Sequence, residues 1–141
     1  MFNKLRSTLA LLFVVNLSLA QGVDFFEGTW EAVLIEANNQ NKPIFLDAYA
    51  SWCAPCKYMD KMVFPKEQLG NYYNKHFINY KVDMEKGEGP DLAKMYKVGS
   101  YPTFLYIDPN ERLIHRAIGA KSVEKMLMAG VVAKGKSTAG D

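Results

Sequence analysis

The chain is poor in the residues that bind metal ions or cross-link small proteins. Its 141 residues include two cysteines and two histidines, and His76 and His115 lie far from each other and from the cysteines. A structural zinc site needs four ligands, usually at paired spacings, and a secreted domain that depends on disulfides normally carries several. This composition argues against both a zinc-stabilised fold and a disulfide scaffold.

A strong excess of charge of one sign is also missing. The 17 basic and 15 acidic residues give a formal net charge of +2. Binding to nucleic acid or to an anionic membrane surface through net charge requires a marked basic excess. We therefore expect no nucleic-acid partner, and the sequence shows no internal repeat that would indicate an extended binding array.

Residues 1–20 have the pattern of a cleavable secretory signal. Lys4 and Arg6 precede an apolar stretch that ends in Ser18-Leu19-Ala20, and small residues occupy the two positions that a signal peptidase reads. The alternative is an uncleaved anchor, but the stretch is shorter than the roughly 20 apolar residues that span a bilayer. We predict cleavage after Ala20 and a periplasmic or otherwise extracytoplasmic location.

Cleavage would change both the charge and the size of the protein. Removal of Lys4 and Arg6 lowers the formal net charge from +2 to zero, and 141 minus 20 leaves 121 residues. A chain of that length forms one ordinary domain with a single core.

The two cysteines lie together in the stretch Trp52-Cys53-Ala54-Pro55-Cys56-Lys57. An apolar run of strand length precedes this stretch, and residues 57–64 are good helix formers without glycine or proline. Cys53 is therefore predicted at a helix N-terminus, where unpaired N–H groups and the helix dipole favour a thiolate. This arrangement indicates a dithiol that cycles with a disulfide.

Other interpretations of the cysteine pair remain. A purely structural disulfide would close a very short loop and contribute about 2 kcal/mol, at the low end of the scale. Half of a zinc site would need two further ligands, which the two distant histidines do not supply at suitable spacing. The two thiols could also be unrelated in function.

Asp47 interrupts the apolar strand predicted at residues 44–50. A strand that is apolar on both faces is covered on both sides, and a lone carboxylate is costly to bury in its charged form. Either Asp47 faces solvent near the strand end, or it is a proton acceptor beneath the dithiol. In the second case burial would raise its pKa towards neutrality.

The remaining elements are predicted from hydrophobic periodicity, capping residues and turn residues. They are a short edge strand at 23–26, a helix from Trp30 to Asn38 capped by Thr29, a helix that Pro65 starts and that runs towards His76, a strand at 77–83, a helix at 92–97 capped by Asp91, a hairpin of strands 103–107 and 112–118, a last helix capped by Ser122 that runs to about Ala133, and a flexible tail at 135–141.

Two stretches resemble the thioredoxin family. Phe45 to Lys57 is similar to the active-site strand and helix start of thioredoxins, and Ser100-Tyr101-Pro102-Thr103-Phe104 resembles their cis-proline loop. The order of predicted elements agrees from Trp30 to Ala133. The helix broken at Val63-Phe64-Pro65, together with the secretory signal, resembles the C-terminal domain of DsbD and its free-standing periplasmic relatives.

The resemblance implies an α/β thioredoxin fold, a central mixed sheet flanked by helices on both faces, over residues 21–134. It also implies roles for three residues. Cys53 would attack a substrate disulfide, Cys56 would resolve the mixed disulfide, and Asp47 would accept the proton from Cys56. No metal and no cofactor beyond the redox-active Cys53–Cys56 disulfide are expected.

The resemblance further implies a substrate-binding surface. This surface would consist of Trp52, Ala54, Pro55, Tyr101 and a cis-configured Pro102, where the backbone of Tyr101 can pair with a substrate strand.

The sequence departs from the thioredoxin pattern at three points. Ala54 stands where thioredoxins have glycine, and Tyr101 is larger than the usual aliphatic residue before the proline. Thioredoxins have a lysine near the buried acid, and the matching position here is assigned to Asn79, with Lys81 two residues further on. This departure leaves open how the pKa of Asp47 is set.

The sequence therefore predicts an exported thiol–disulfide oxidoreductase that reduces disulfides in extracytoplasmic proteins. A monomer recharged by a membrane electron carrier is expected. An oxidase or isomerase of secreted proteins is the alternative with the same chemistry, and a non-catalytic binding module is the alternative from another class.

Overall fold

A computed structural model describes residues 21–138, and the predicted signal segment lies outside the described residues. Within 21–138, no helix is long and apolar enough to cross a membrane. The described chain forms helices and four strands, mixed along the sequence. They are α1 (Trp30–Gln40), β1 (Ile44–Tyr49), α2 (Ala54–Tyr58), a π-helical turn (Met59–Val63), α3 (Glu67–His76), β2 (Ile78–Asp83), α4 (Gly89–Met95), β3 (Thr103–Ile107), β4 (Leu113–Ile118) and α5 (Val123–Thr138).

The four strands form one mixed sheet in the order β2-β1-β3-β4. β1 is parallel to β2 and antiparallel to β3, and β3 is antiparallel to β4. The predicted thioredoxin fold with a central mixed sheet is confirmed. β1 is a central strand with helices on both faces, which is why its residues are apolar almost throughout.

Alternate residues of β1 point to opposite faces of the sheet. Leu46 and Ala48 pack with residues of α1 and α4, such as Val33 and Leu92. Phe45 instead packs with a cluster from the π-helical turn, α3 and α5. Because side chains in a strand alternate with period two, Asp47 lies on the same face as Phe45, under the helix that follows the cysteines.

Three predicted helix caps are confirmed. The Thr29 hydroxyl accepts the N–H of Ala32 at the start of α1, and the Ser122 hydroxyl accepts the N–H of Lys125 at the start of α5. Cys53 caps α2 in the same way through its sulfur. In all three cases the cap satisfies an N–H group that has no partner inside the helix.

One predicted strand and two predicted helix starts are wrong. Residues 23–26 form no strand, because only Val23 and Phe26 donate backbone hydrogen bonds to neighbouring chain and Asp24 donates to the side chain of Asn74. α3 begins at Glu67 rather than at Pro65, since Lys66 is still extended, with φ −71° and ψ 126°.

α4 begins three residues earlier than predicted, at Gly89, so Asp91 lies in its first turn and is not its cap. The start is set by packing that the sequence does not show. A side chain at Gly89 would overlap the Asp83 carbonyl group, so the helix begins in backbone contact with the end of β2.

The last helix extends into the segment predicted as a flexible tail at 135–141. α5 continues to Thr138, whose hydroxyl donates to the carbonyl groups of Lys134 and Gly135. Good helix formers on both sides of Gly135 outweigh its cost of about 1 kcal/mol. Residues 139–141 of the predicted tail lie outside the described residues.

Candidate active site

The cysteines form a disulfide at the carboxyl end of β1, where α2 begins. Cys53 has extended backbone angles, and its sulfur accepts the N–H of Cys56 at 3.2 Å. The helix start thus directs a hydrogen-bond donor and the positive end of its dipole at the sulfur, as the sequence predicts. Both features stabilise negative charge on Cys53 when the disulfide is reduced.

Burial does not distinguish the two cysteines. Cys53 and Cys56 are each 2% exposed, and both pack with Ala50, Tyr49 and Tyr101. Cys56, inside the first turn of α2, is shielded. Cys53, predicted at the helix N-terminus, is covered equally in the disulfide form.

The loop before β3 lies beside the disulfide. The Tyr101–Pro102 peptide bond is cis, as the resemblance implies. The Pro102 carbonyl accepts the N–H of Gly119 at 2.8 Å, which ties the loop to the end of β4. Tyr101 packs against Cys53 and Cys56, so it lies beside the dithiol as predicted.

The predicted substrate-contact residues surround the disulfide. Trp52 is 67% exposed, and its ring meets that of Tyr101 edge-on at 5.9 Å between centroids. Ala54 and Pro55, in the first turn of α2, are also exposed. Glu85 is an additional neighbour, because both of its carboxylate oxygens accept the Trp52 indole N–H, at 3.0 and 3.1 Å.

Asp47 is buried, with 1% of its surface exposed. One carboxylate oxygen, Oδ2, accepts a hydrogen bond from Lys81 Nζ at 3.0 Å. The other, Oδ1, is buried and finds no hydrogen-bond partner among the described residues. The solvent-facing interpretation of Asp47 is therefore wrong, and the carboxylate has one acceptor oxygen free for a proton.

Burial raises the pKa of Asp47 from 3.8 to about 6, because removal from water penalises the charged form. The charge of Lys81 and its hydrogen bond act in the opposite direction and limit this increase. The pKa of Lys81 is itself raised, since its carboxylate partners outweigh the effect of burial. A carboxyl group with a pKa of about 6 can take up and return a proton near neutral pH.

The assignment of the family's lysine position to Asn79 is wrong. The parallel register pairs Asp47 with Lys81, whereas Asn79 lies opposite Phe45. The Asn79 amide nitrogen donates to Asp24 and Asn74 at the edge of the sheet. Lys81 therefore occupies the position that was assigned to Asn79.

A second carboxylate shares Lys81. Asp60, on the π-helical turn, pairs with the same ammonium group, which also lies 4.4 Å from the centre of the Tyr49 ring. Asp60 is about half exposed, so it extends the buried pair of Asp47 and Lys81 towards solvent. The sequence did not identify Asp60, because its contact with Lys81 joins residues that are 21 positions apart in the chain.

The described residues contain no group of three or more His, Cys, Asp or Glu side chains arranged to hold a metal ion. The site contains a cysteine that caps a helix, a second cysteine, a buried acid of raised pKa and an exposed aromatic surface. These groups can exchange a disulfide with a polypeptide and move the accompanying protons.

Comparison with known proteins identifies a family and several similar proteins. A family model named Thioredox_DsbH, described as a protein of unknown function (DUF255), matches residues 13–117. A solved structure of a putative disulphide-isomerase from Bacteroides thetaiotaomicron is 37% identical, with a TM-score of 0.72 over 80% of this chain and 93% of that chain.

Two curated proteins give shorter matches. Thioredoxin-1 of Drosophila melanogaster is 41% identical over 52% of this chain, and the DsbD thiol:disulfide interchange protein of Pseudomonas fluorescens is 34% identical over 63% of it. The matched regions span 64% and 16% of those proteins. The DsbD C-terminal domain of Neisseria meningitidis, 21% identical with a TM-score of 0.61, shares the fold.

Proposed function

The chain belongs to the Thioredox_DsbH family of thioredoxin-like proteins, and we propose that it is an exported thiol–disulfide oxidoreductase that reduces disulfides in other proteins. The observation that carries this proposal is the position of the Cys53–Cys56 pair. It caps α2 beside the cis-proline loop, at the carboxyl end of the strand that carries the buried carboxylate of Asp47.

The chemistry follows from the helix cap. In the reduced protein, the Cys53 thiolate attacks one sulfur of a substrate disulfide, the substrate S–S bond breaks, and the departing sulfur takes a proton from solvent. Cys56 then attacks Cys53, which releases the second substrate thiol and leaves the Cys53–Cys56 disulfide. Two electrons pass from the protein to its substrate.

Asp47 supports the second step. Cys56 is a thiol until it attacks, so its proton needs an acceptor in a site that excludes water. Asp47 lies on the sheet face that is covered by the π-helical turn continuing from α2, with Oδ1 free and a pKa of about 6. Lys81 and Asp60 then link the carboxyl group to the surface.

Substrate docks on the exposed surface around the disulfide. Trp52, Ala54 and Pro55 provide apolar contact, and the backbone of Tyr101 before the cis-proline provides hydrogen bonds to an extended segment.

The residues between the cysteines favour the reducing direction. Strong oxidants stabilise the reduced form by stabilising the thiolate. Ala54 offers no side-chain donor and Pro55 has no backbone N–H. The Cys56 N–H is the donor that the structure directs at Cys53, so we expect moderate thiolate stabilisation and a disulfide that is hard to reduce.

The proposal has three further parts, which are export, a single domain at 21–134 and a membrane electron carrier. Residues 1–20 have the signal pattern, and a reductant in an oxidising compartment must be recharged from a carrier that crosses the membrane. We propose that the mature protein works as a monomer, because it exchanges electrons in turn with a carrier and with substrates through the same small surface.

A disulfide isomerase is the second candidate. The Bacteroides protein, a putative disulphide-isomerase, is 37% identical over most of this chain. An isomerase would need a less reducing cysteine pair. A non-catalytic binding module is disfavoured, since such a module needs neither a cysteine pair at a helix N-terminus nor a buried acid in the strand before it.

We expect the protein in living cells to be extracytoplasmic, to begin at Gln21 and to hold Cys53 and Cys56 mainly as thiols. Acid quenching, alkylation, cell fractionation and intact mass measurement test all three points together. A full-length chain in the cytosol would contradict export. A processed chain found mainly as the disulfide would contradict the reducing direction and favour the oxidase or isomerase alternative.

A further inference from the structure

The loop that follows β2 places a carboxylate at the edge of the disulfide. β2 runs parallel to β1, so its carboxyl end lies beside the end of β1 from which the cysteine stretch continues. The N–H of Met84 donates to the Tyr49 carbonyl at 2.8 Å, which fixes the start of this loop. Glu85 comes next, and its carboxylate accepts the Trp52 indole N–H.

The position of Glu85 is well defined. Asp83 Oδ1 accepts the backbone N–H of Glu85 at 3.0 Å, and the Trp52 N–H lies between both of its carboxylate oxygens. The Trp52 ring in turn contacts that of Tyr101, which packs on the cysteines. The pKa of Tyr101 is raised by burial and then by the charges of Glu85 and Asp83, which is consistent with this proximity.

Glu85 is the acid of this loop that carries an unpaired charge beside the cysteines. Lys86 pairs with Asp83 at 3.7 Å, and Glu88 accepts hydrogen bonds from Trp30 N and the Tyr80 hydroxyl away from the cysteines. Glu85 is exposed and takes part in no ion pair within residues 21–138. A neutral indole N–H leaves the full negative charge on the carboxylate.

We propose that Glu85 is a specificity-determining residue that selects substrates with a lysine or arginine next to the reacting cysteine. The proposal rests on the proposed function, since it concerns the polypeptide that Cys53 attacks. A substrate strand that pairs beside Tyr101 and packs on Trp52 passes within reach of Glu85, and a cationic side chain there forms an ion pair. An acidic side chain meets repulsion instead.

The test compares two disulfide-linked peptide dimers that differ at the residue before cysteine, lysine in one and glutamate in the other. Each is mixed with the fully reduced protein, and kcat/KM for thiol release is measured at low ionic strength. We expect the lysine peptide to react about three- to fivefold faster, the upper range for an exposed charge pair. The preference should shrink as salt is raised, because exposed charges are screened.

Three substitutions separate charge from positioning. Glu85→Gln keeps an oxygen that can accept the Trp52 N–H but removes the charge, so the two peptides should react within about twofold of each other. Glu85→Lys should reverse the preference. Glu85→Asp, which keeps the negative charge, should keep the preference of the parent protein. Asp24→Asn is the control for net charge, since Asp24 is exposed near Ile78 at the opposite end of β2 and should leave the preference unchanged.

The outcomes distinguish this inference from the function on which it rests. If reduced protein reacts with neither peptide, the proposed oxidoreductase function fails. If both react and Glu85→Gln keeps the parent preference, Glu85 does not select substrates. If Glu85→Gln abolishes the preference but Glu85→Lys does not reverse it, the charge at residue 85 does not set the direction of the preference, and the inference is overturned.

Discussion

Replacing Cys53 by serine should abolish the reduction of insulin, with a loss of about a thousandfold or more, because a hydroxyl without an activating base cannot replace the thiolate nucleophile. The Cys53 sulfur is the group that the helix start stabilises, through the Cys56 N–H at 3.2 Å. Precipitation of insulin chains by reduced protein gives the rate directly.

Replacing Cys56 by serine should have a different effect. Cys53 can still attack, but nothing displaces the substrate, so a mixed disulfide of one protein and one substrate chain should accumulate. The two variants control for each other, since each lacks the same disulfide and should lose the same small stability, about 2 kcal/mol. Equal trapping by both variants would contradict the assigned roles, and captured cellular proteins would identify the substrates.

Replacing Asp47 by asparagine should slow the release of substrate by roughly ten- to a hundredfold at pH 7, at or below the low end of what a positioned base contributes. In the parent protein this step should slow as pH falls below about 6, where Asp47 takes up a proton. The asparagine variant should lack that inflection. Single-turnover rates measured from pH 5 to 8, a range around this value, test both points.

The same substitution should stabilise the folded protein at neutral pH. The folded-state pKa of Asp47, about 6, exceeds its ordinary value of 3.8, so the folded state binds this proton more tightly than the unfolded chain. The contribution of Asp47 to stability is therefore greatest below pH 3.8 and is lost as pH rises through 6. The loss approaches 3 kcal/mol by order of magnitude.

Denaturant unfolding of the parent and the asparagine variant should show this difference at pH 7 and its disappearance near pH 4, close to the ordinary pKa of 3.8. Lys81→Gln is the matched variant, because loss of the cation removes what holds the pKa of Asp47 down and should move the rate inflection above pH 6. If the Asp47→Asn variant had the parent rates at every pH, Asp47 would have no role in the reaction.

Much of the site could be predicted because its residues are adjacent in sequence. The cysteines, the strand before them and the helix after them specify a local geometry, and the proline loop matches a known pattern. A lone carboxylate in an apolar strand is also visible in a sequence, although its partner is not. Lys81 faces Asp47 only through the register of β1 and β2.

The residues that the sequence did not identify depend on contacts between distant segments. Asp60, on the π-helical turn, contacts Lys81 on β2, 21 positions further along the chain, and Glu85 reaches Trp52 because two parallel strands end side by side. Gly70 shows the same limit. A glycine inside a helix costs stability, yet Gly70 lets the backbone of Gln21 and Gly22 lie directly against α3.

The reduction potential of the Cys53–Cys56 pair tests the central claim most directly, and equilibration with glutathione buffers followed by thiol trapping gives its value. With moderate stabilisation of the Cys53 thiolate, the potential should lie near that of thioredoxin, about −270 mV, rather than near that of DsbA, about −120 mV. The gap of about 150 mV corresponds to about 7 kcal/mol for two electrons, so the two roles are well separated. A value below about −230 mV would support a protein that donates electrons to substrate disulfides, whereas a value above about −180 mV, in the range of disulfide isomerase, would contradict it.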